Sequence, residues 1–504
     1  MRSLEEVEDP RDSEGLDDPV EENPPHRRWL VLAGVCHTWR TVLLSSPLLW
    51  SRIEASIFRR PDILEKFISA SRKAPLDVCI TDVSPLHFVH ETDILGKSLE
   101  RILKEGVRLK SLHLIFRLPI FQYFFLAFHF KFSFTHLQSL EILLDQSEVK
   151  GTYVPEPSCG FAAFMEADFR SLRHVALTNV HTEWQLLSKL PSTVTDLSIT
   201  NELQPLLAGP MSDVLDVLKK LVDLKRLTLY DCLPRMAGGS TERVYLSKLE
   251  KLTIAGEITR VMPLFDCLEH PLATIVCVGL EVDPGQDISS ASLSVFSRMC
   301  RMYEGRPDQM EASICVARAY VSISLFADTV PESQLFFKPT ENSDDTQSIS
   351  SLDLLRGALE AAALTLFLSV TSLWLTLLDH HTHDAPRLLP LIFQILNRVE
   401  SITVEGQVTL LTEALRPQQD MPVSLPRLSH LGLADTRIVE DTEDQPFRIL
   451  SADVLYSCLE ERKDHGCGIQ LLELYDDCTV HVSAADEFRG RLLTVVKDIE
   501  GWEK

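Results

Sequence analysis

The first constraints on this chain come from what it lacks. Basic charge is short: 49 Lys and Arg stand against 73 Asp and Glu, for a formal net charge of -24. Nucleic acid repels such a surface unless a local basic stripe compensates. The nearest approach to one, "FRRPDILEKFISASRK" (Phe58–Lys73), reads as a helix with a solvated face. Paired cysteine spacings are missing too, and the count of 11 is odd. That argues against a disulfide framework or a metal site and for a reduced cytosolic or nuclear setting. A secretory signal is lacking, because the opening residues are dominated by Asp and Glu. The chain also has no Gly-rich phosphate loop, no Gly-x-Ser-x-Gly elbow and no His-Glu-x-x-His. Neither catalysis nor a cofactor is therefore expected.

Uninterrupted apolar runs are scarce as well. "LPIFQYFFLAFHF" (Leu118–Phe130) is too short to span a bilayer and contains Gln122 and His129. "AAALTLFLSVTSLWLTLL" (Ala361–Leu378) has the length, but Ser and Thr interrupt it and its second half fits a repeat described next. A membrane partner is not expected.

What is present is a recurring pattern, apolar-x-x-apolar-x-apolar. It reads "LKSLHL" at Leu109, "LQSLEI" at Leu137, "LRHVAL" at Leu172, "VTDLSI" at Val194, "LKRLTL" at Leu224, "LEKLTI" at Leu249 and "LATIVC" at Leu272. It resumes as "VTSLWL" at Val370, "VESITV" at Val399, "LSHLGL" at Leu428 and "IQLLEL" at Ile469, with a weaker copy, "YVSISL", at Tyr320. The last two apolar residues of each copy lie two apart and so share one face of a short strand. Helical spacing precedes several copies: Val214, Leu218 and Leu221; Leu388, Leu391, Ile392, Ile395 and Leu396; Leu450, Val454, Leu455, Cys458 and Leu459. Each unit leaves an apolar face that only a neighbouring unit can cover, so stacking is required.

The pattern resembles a leucine-rich repeat array over 109–504, with a loop-rich insertion around 280–350. The resemblance implies an α/β solenoid. The Asn or Cys that such repeats carry after the strand is mostly replaced: Cys232 stands there once, but Asp145, Glu257 and Thr436 occupy it elsewhere. Uneven curvature is the expected consequence.

Ahead of the repeats stands "LAGVCHTWRTVLLSSPLLWSRIEAS" (Leu32–Ser56). Leu32, Val35, Cys36, Trp39 and Val42 or Leu43 fall on one helical side. Ser45, Ser46 and Pro47 are expected to end that helix and cap a next short one in "LLWSRI". "VCHTWRTVLLSSPLLWSRI" resembles the second half of an F-box, in the fungal form that is joined to degenerate leucine-rich repeats. Its matching residues are Val35, Cys36, Trp39, Arg40, Pro47, Leu48, Leu49, Trp50 and Ile53, and "PLDVCI" at Pro75 is similar to the first strand of such proteins.

That resemblance implies a substrate-recognition subunit of a cullin–RING ubiquitin ligase. Val35, Trp39, Pro47, Leu48, Leu49 and Trp50 would face or support a Skp-type adaptor, and the repeats would hold a client protein. The implied organisation is an acidic disordered segment over 1–26, a partial F-box-like helical module over 27–60, and linking helices with a first strand over 61–108. The Leu-Pro-x-Glu helix that opens an F-box is not found in "MRSLEEVEDPRDSEGLDDPVEENPP", which reads as an acidic loop. Two bland alternatives stay open: Trp39 and Trp50 as core residues of a terminal cap, and a stand-alone repeat scaffold without ligase association.

Three further stretches draw notice. "DHHTHDAPR" (Asp379–Arg387) offers His381 and His383 with Asp379 or Asp384 to a zinc ion, but no established zinc spacing. "PESQLFFKPTENSDDTQSIS" (Pro331–Ser350) reads as a strand followed by a polar loop, and "FQYFFLAFHFKFSF" (Phe121–Phe134) as an aromatic run of uncertain burial.

Overall fold

The computed structural model describes residues 34–81, 89–117, 133–145, 164–180, 183–201, 209–234, 242–283, 288–303, 310–317, 320–327, 330–339, 370–377, 385–406, 408–417, 423–439, 449–475, 478–482 and 484–502. The segment 1–26, Phe121–Phe132 of the aromatic run and the histidine cluster at 379–384 lie outside them.

Among the described residues, seventeen strands form one large sheet. They are β1 (Arg52–Glu54), β2 (Leu76–Thr81), β3 (Leu109–Arg117), β4 (Ser139–Asp145), β5 (His174–Thr178), β6 (Asp196–Thr200), β7 (Arg226–Tyr230), β8 (Lys251–Glu257) and β9 (Ile275–Val282). Then come β10 (Met310–Ala317), β11 (Tyr320–Ala327), β12 (Val330–Pro339), β13 (Val370–Leu377), β14 (Ser401–Gly406), β15 (His430–Ala434), β16 (Leu471–Leu474) and β17 (Asp498–Glu500). From β1 to β9 each strand pairs in parallel with the next in sequence. The same holds from β13 to β17. The helices used below are α1 (His37–Leu44), α2 (Pro61–Ala70), α3 (Val89–Leu103), α4 (Met211–Lys220), α5 (Ile258–Cys267), α6 (Ile288–Tyr303), α7 (Ala385–Ile395), α8 (Val408–Leu415), α9 (Ala452–Asp464) and α10 (Ala485–Val495). The fold is mixed α/β with a large, mostly parallel sheet.

The repeat residues explain the ladder. Leu112, Leu140, Val175, Leu197, Leu227, Leu252 and Val276 stand in one row of the register, all but fully buried. Leu373, Ile402, Leu431, Leu472 and Ile499 form the corresponding row later in the chain. Each such side chain contributes about 1.5–3 kcal/mol relative to exposure. Helices stack beside the rows: α7 on α8, α8 on α9 and α9 on α10. One hydrophobic cluster runs from Trp50 to Ile499. In β5 and β6 the opposite sheet face alternates with it and stays half-buried, unlike a parallel sheet covered on both sides, whereas Thr403 of β14 and Gly432 and Ala434 of β15 are buried on that face.

Strand exits follow a rule that the repeat pattern did not predict. Asn179, Asp231 and Asp435 come directly after β5, β7 and β15 and adopt positive φ of 57°, 50° and 45°. Asn and Asp tolerate that left-handed conformation better than other side-chain-bearing residues. Their polar character is needed one residue earlier than the expected Asn or Cys position. The amides of Asn179, Asn201 and Asp231 donate to the next strand at Thr200, Tyr230 and Ala255.

Several expectations need correction. "LATIVC" is out of register by one: Val276 and Val278 point inward, while Ile275 and Cys277 are half-buried and Leu272 is exposed. A one-residue slip exchanges the two faces of a strand, and two apolar candidates for each position hid it. "YVSISL" is not a repeat copy, because β11 runs antiparallel to both β10 and β12. Within the stretch around 280–350 the described residues form α6 and strands β10 to β12. "LLWSRI" divides into a 3-10 turn at Pro47–Trp50 and strand β1. No serine side chain caps that turn. Instead the Ser45 and Ser46 hydroxyls donate back to the Val42 carbonyl, at 2.9 and 2.8 Å.

Inside the second helical stack lies a buried cation. Arg462 of α9 is fully buried and donates through Nη1 to the carbonyls of Leu415 and Ser424, at 3.0 and 2.8 Å, and through Nη2 to Leu425, at 2.9 Å. These carbonyls sit at the end of α8 and in the turn before β15, so one guanidinium ties three segments together.

Candidate interaction surface

The N-terminal corner is built around Trp50. Its indole Nε1 donates to the Leu43 carbonyl at 2.8 Å, and its ring meets Phe67 of α2 edge to face with centroids 5.1 Å apart. Trp50 is only 8% exposed. Leu43 is the residue that α1 buries. Pro47 enters the 3-10 turn at a first-turn position, where its missing N–H costs no hydrogen bond.

With that corner fixed, the remaining apolar residues are left outside. Val35, Trp39, Val42, Leu44, Leu48 and Leu49 are all exposed, from 40% at Leu49 to 70% at Leu48. Scattered single leucines on a surface need no explanation, but six exposed large apolar side chains within fifteen residues is a local concentration of apolar surface. Of the six residues singled out from sequence, Val35, Trp39, Leu48 and Leu49 lie on this surface. Pro47 is half-buried at its base, and Trp50 lies beneath it.

The half-buried sheet face is the other accessible surface. Across β2, β3 and β4 it aligns Cys79, His113 and Glu141. Cys79 Sγ lies 3.9 Å from His113 Nδ1, and Glu141 Oε2 lies 3.4 Å from the same nitrogen. A relay would use the two ring nitrogens separately. Burial pushes the Cys79 thiol up, Arg52 pulls it down, and Glu54 and Glu141 push it up. An activated thiolate needs the opposite shift.

No family model matches this chain, and no curated protein matches it.

Among the described residues no group of three or more His, Cys, Asp or Glu is placed to hold a metal ion. No described helix is long and apolar enough to cross a membrane. A concavity of about 470 Å3 on the edge where strands begin is lined by Arg170, Arg173, Lys225 and Lys248 with Asp223. Three of those cations pair with neighbouring carboxylates, Arg170 with Asp168, Lys225 with Glu250 and Lys248 with Asp223.

Proposed function

We propose that this chain is the substrate-recognition subunit of an SCF-type cullin–RING ubiquitin ligase, and that its fold is a leucine-rich-repeat-like solenoid with an F-box-like module at its N-terminal end. The exposed apolar corner carries this reading. Trp39, Leu48 and Leu49 stand open to solvent above a buried Trp50, the arrangement expected of a surface whose partner is another protein. The strand-by-strand pairing and the stacked helices support the solenoid. A client complex of ordinary size covers about 800 Å2 per partner, and on this reading the sheet face is where the client lies. On this reading the chain positions a client, and other subunits supply the chemistry.

The test is co-purification of the full chain with a Skp-type adaptor. Leu48→Asp changes a side chain that is 70% exposed, so folding is spared while the apolar corner gains a charge. The parent is expected to retain the adaptor and the variant to lose it. Failure of the parent to retain it, or equal retention by Leu48→Asp, defeats the proposal in favour of a stand-alone scaffold.

A further inference from the structure

The open sheet face differs along its length. Strands β13 to β17 contain four carboxylates (Glu405, Glu473, Asp498 and Glu500) and no lysine or arginine, whereas β1 to β9 contain both signs. On this acidic stretch two aromatic rings meet: Trp374 of β13 and Tyr475, just beyond β16, lie edge to face with centroids 5.5 Å apart. Their strands are three positions apart in the sheet, roughly 14 Å at about 4.8 Å per strand. The two side chains therefore lean toward each other over β14 and β15.

Gly432 permits this. It faces Thr403 in the register on one side and Glu473 on the other. A Cβ there would stand 2.6 Å from Thr403 Oγ1 and 3.0 Å from Tyr475 Cε2. The space a side chain would take is filled by Thr403 and the edge of the Tyr475 ring, so the aromatic pair packs directly down on a buried stretch of sheet. Both rings are half-buried, with an accessible portion. Glu473 stands in the same register row as Trp374, Thr403 and Gly432, and Glu405 stands one same-face row further on, beside Thr376 and Ala434. Glu473 Oε2 lies 2.9 Å from His430 Nε2, and Glu405 Oε2 accepts from Thr376 Oγ1 at 3.1 Å.

We propose that the Trp374–Tyr475 pair, flanked by Glu405 and Glu473, seats a lysine or arginine side chain from a basic segment of the client protein. Aromatic faces attract a cation through their quadrupole, and the two carboxylates, which pair with no lysine or arginine among the described residues, add charge complementarity. A neutral apolar side chain would gain the rings but leave the carboxylates idle. An acidic one would be repelled. The assignment gives the client class for the strand face and rests on the reading above only in calling the ligand a client, because binding is measured on the chain alone without an adaptor.

The experiment is fluorescence anisotropy of the full chain with labelled decapeptides. One set carries a central lysine or its norleucine replacement, and the other a central arginine or citrulline. The cationic peptides are expected to bind at least about tenfold tighter than their neutral counterparts. Trp374→Ala and Glu473→Gln should each remove most of that preference, and Trp374→Phe should keep part of it, with melting curves matching the parent. Equal affinity for norleucine and lysine peptides, or an unchanged preference in both Trp374→Ala and Glu473→Gln, overturns the proposal. Cation-selective binding with no adaptor retention would leave this site standing while the ligase reading fell.

Discussion

Replacing Arg462 with Met measures how the second helical stack is held. The two side chains are similar in length, so the substitution removes the charge and the donors with little change in volume. Three charge-assisted hydrogen bonds, to Leu415, Ser424 and Leu425, are together worth roughly 5–9 kcal/mol at about 1.5–3 kcal/mol each. Against this stands the desolvation of a fully buried guanidinium, an effective penalty of several kcal/mol. That same desolvation lowers the Arg462 pKa, opposed by smaller contributions from Cys458 and Cys467. Nε finds no partner and adds to the cost. The difference leaves a net loss of about 2–4 kcal/mol, in the range seen when buried carbonyls lose their donors. The readout is native-state hydrogen exchange over residues 408–475, which reports local opening where a chain this long need not unfold in one step. Arg462→Lys keeps the charge but concentrates its donors on one nitrogen, so it is expected to lose protection as well. Unchanged protection in Arg462→Met would refute the reasoning, because it would mean that the three carbonyls do without the guanidinium.

Two further outcomes are expected. Val276→Asp, at a fully buried position, should cost about 4 kcal/mol or more, as unpaired buried charges do, while Cys277→Asp, half-buried on the other face, should fold; equal soluble yield and equal melting of both would break the assigned register of β9. Cys458, whose thiol burial pushes to about 11 from 9.0, should resist alkylation in the native protein at pH 8, whereas the exposed Cys36 should react, as read by mass spectrometry. The sign of its pH effect follows: the folded pKa lies above the unfolded one, so Cys458's stabilising contribution is whole below pH 9 and is lost as pH rises toward 11.

Much of the ladder was legible from pattern. Leu140 and Ile142, Leu197 and Ile199, Leu227 and Leu229, and Leu472 and Leu474 announce strands because period-two leucines beside charged residues admit one inward face. The helices at Val214–Leu221 and Leu455–Leu459 were legible for the same reason at period 3.6. β9 failed because Ile275, Val276, Cys277 and Val278 are apolar on both faces, so spacing alone could not choose between them. β17 and β1 are three residues each, too short to carry a period. β11 and the strand opening Pro331–Ser350 were legible as strands, but β10 was not, and the antiparallel pairing of β11 with β10 and β12 escaped because the repeat pattern carries no sign of strand direction. At the N-terminal corner the residue types pointed to an apolar surface, but which tryptophan stands out and which is sealed depended on the indole bond from Trp50 to Leu43, a contact that sequence spacing does not encode.

The antiparallel excursion has a consequence for how the sheet closes. β9 pairs with β12, β12 with β11, β11 with β10, and β10 with β13. Everywhere else a newly made strand can settle at once against its immediate predecessor. Here the rim of β9 stays bare until residues 330–339 emerge, and the rim of β10 waits for residues 370–377. Among the described residues, every tie within the sheet between the early and late strands therefore passes through a single three-stranded bridge. That bridge is the natural breaking line of the sheet, and a proteolytic nick beside it would leave two separately buttressed halves rather than one unravelling chain.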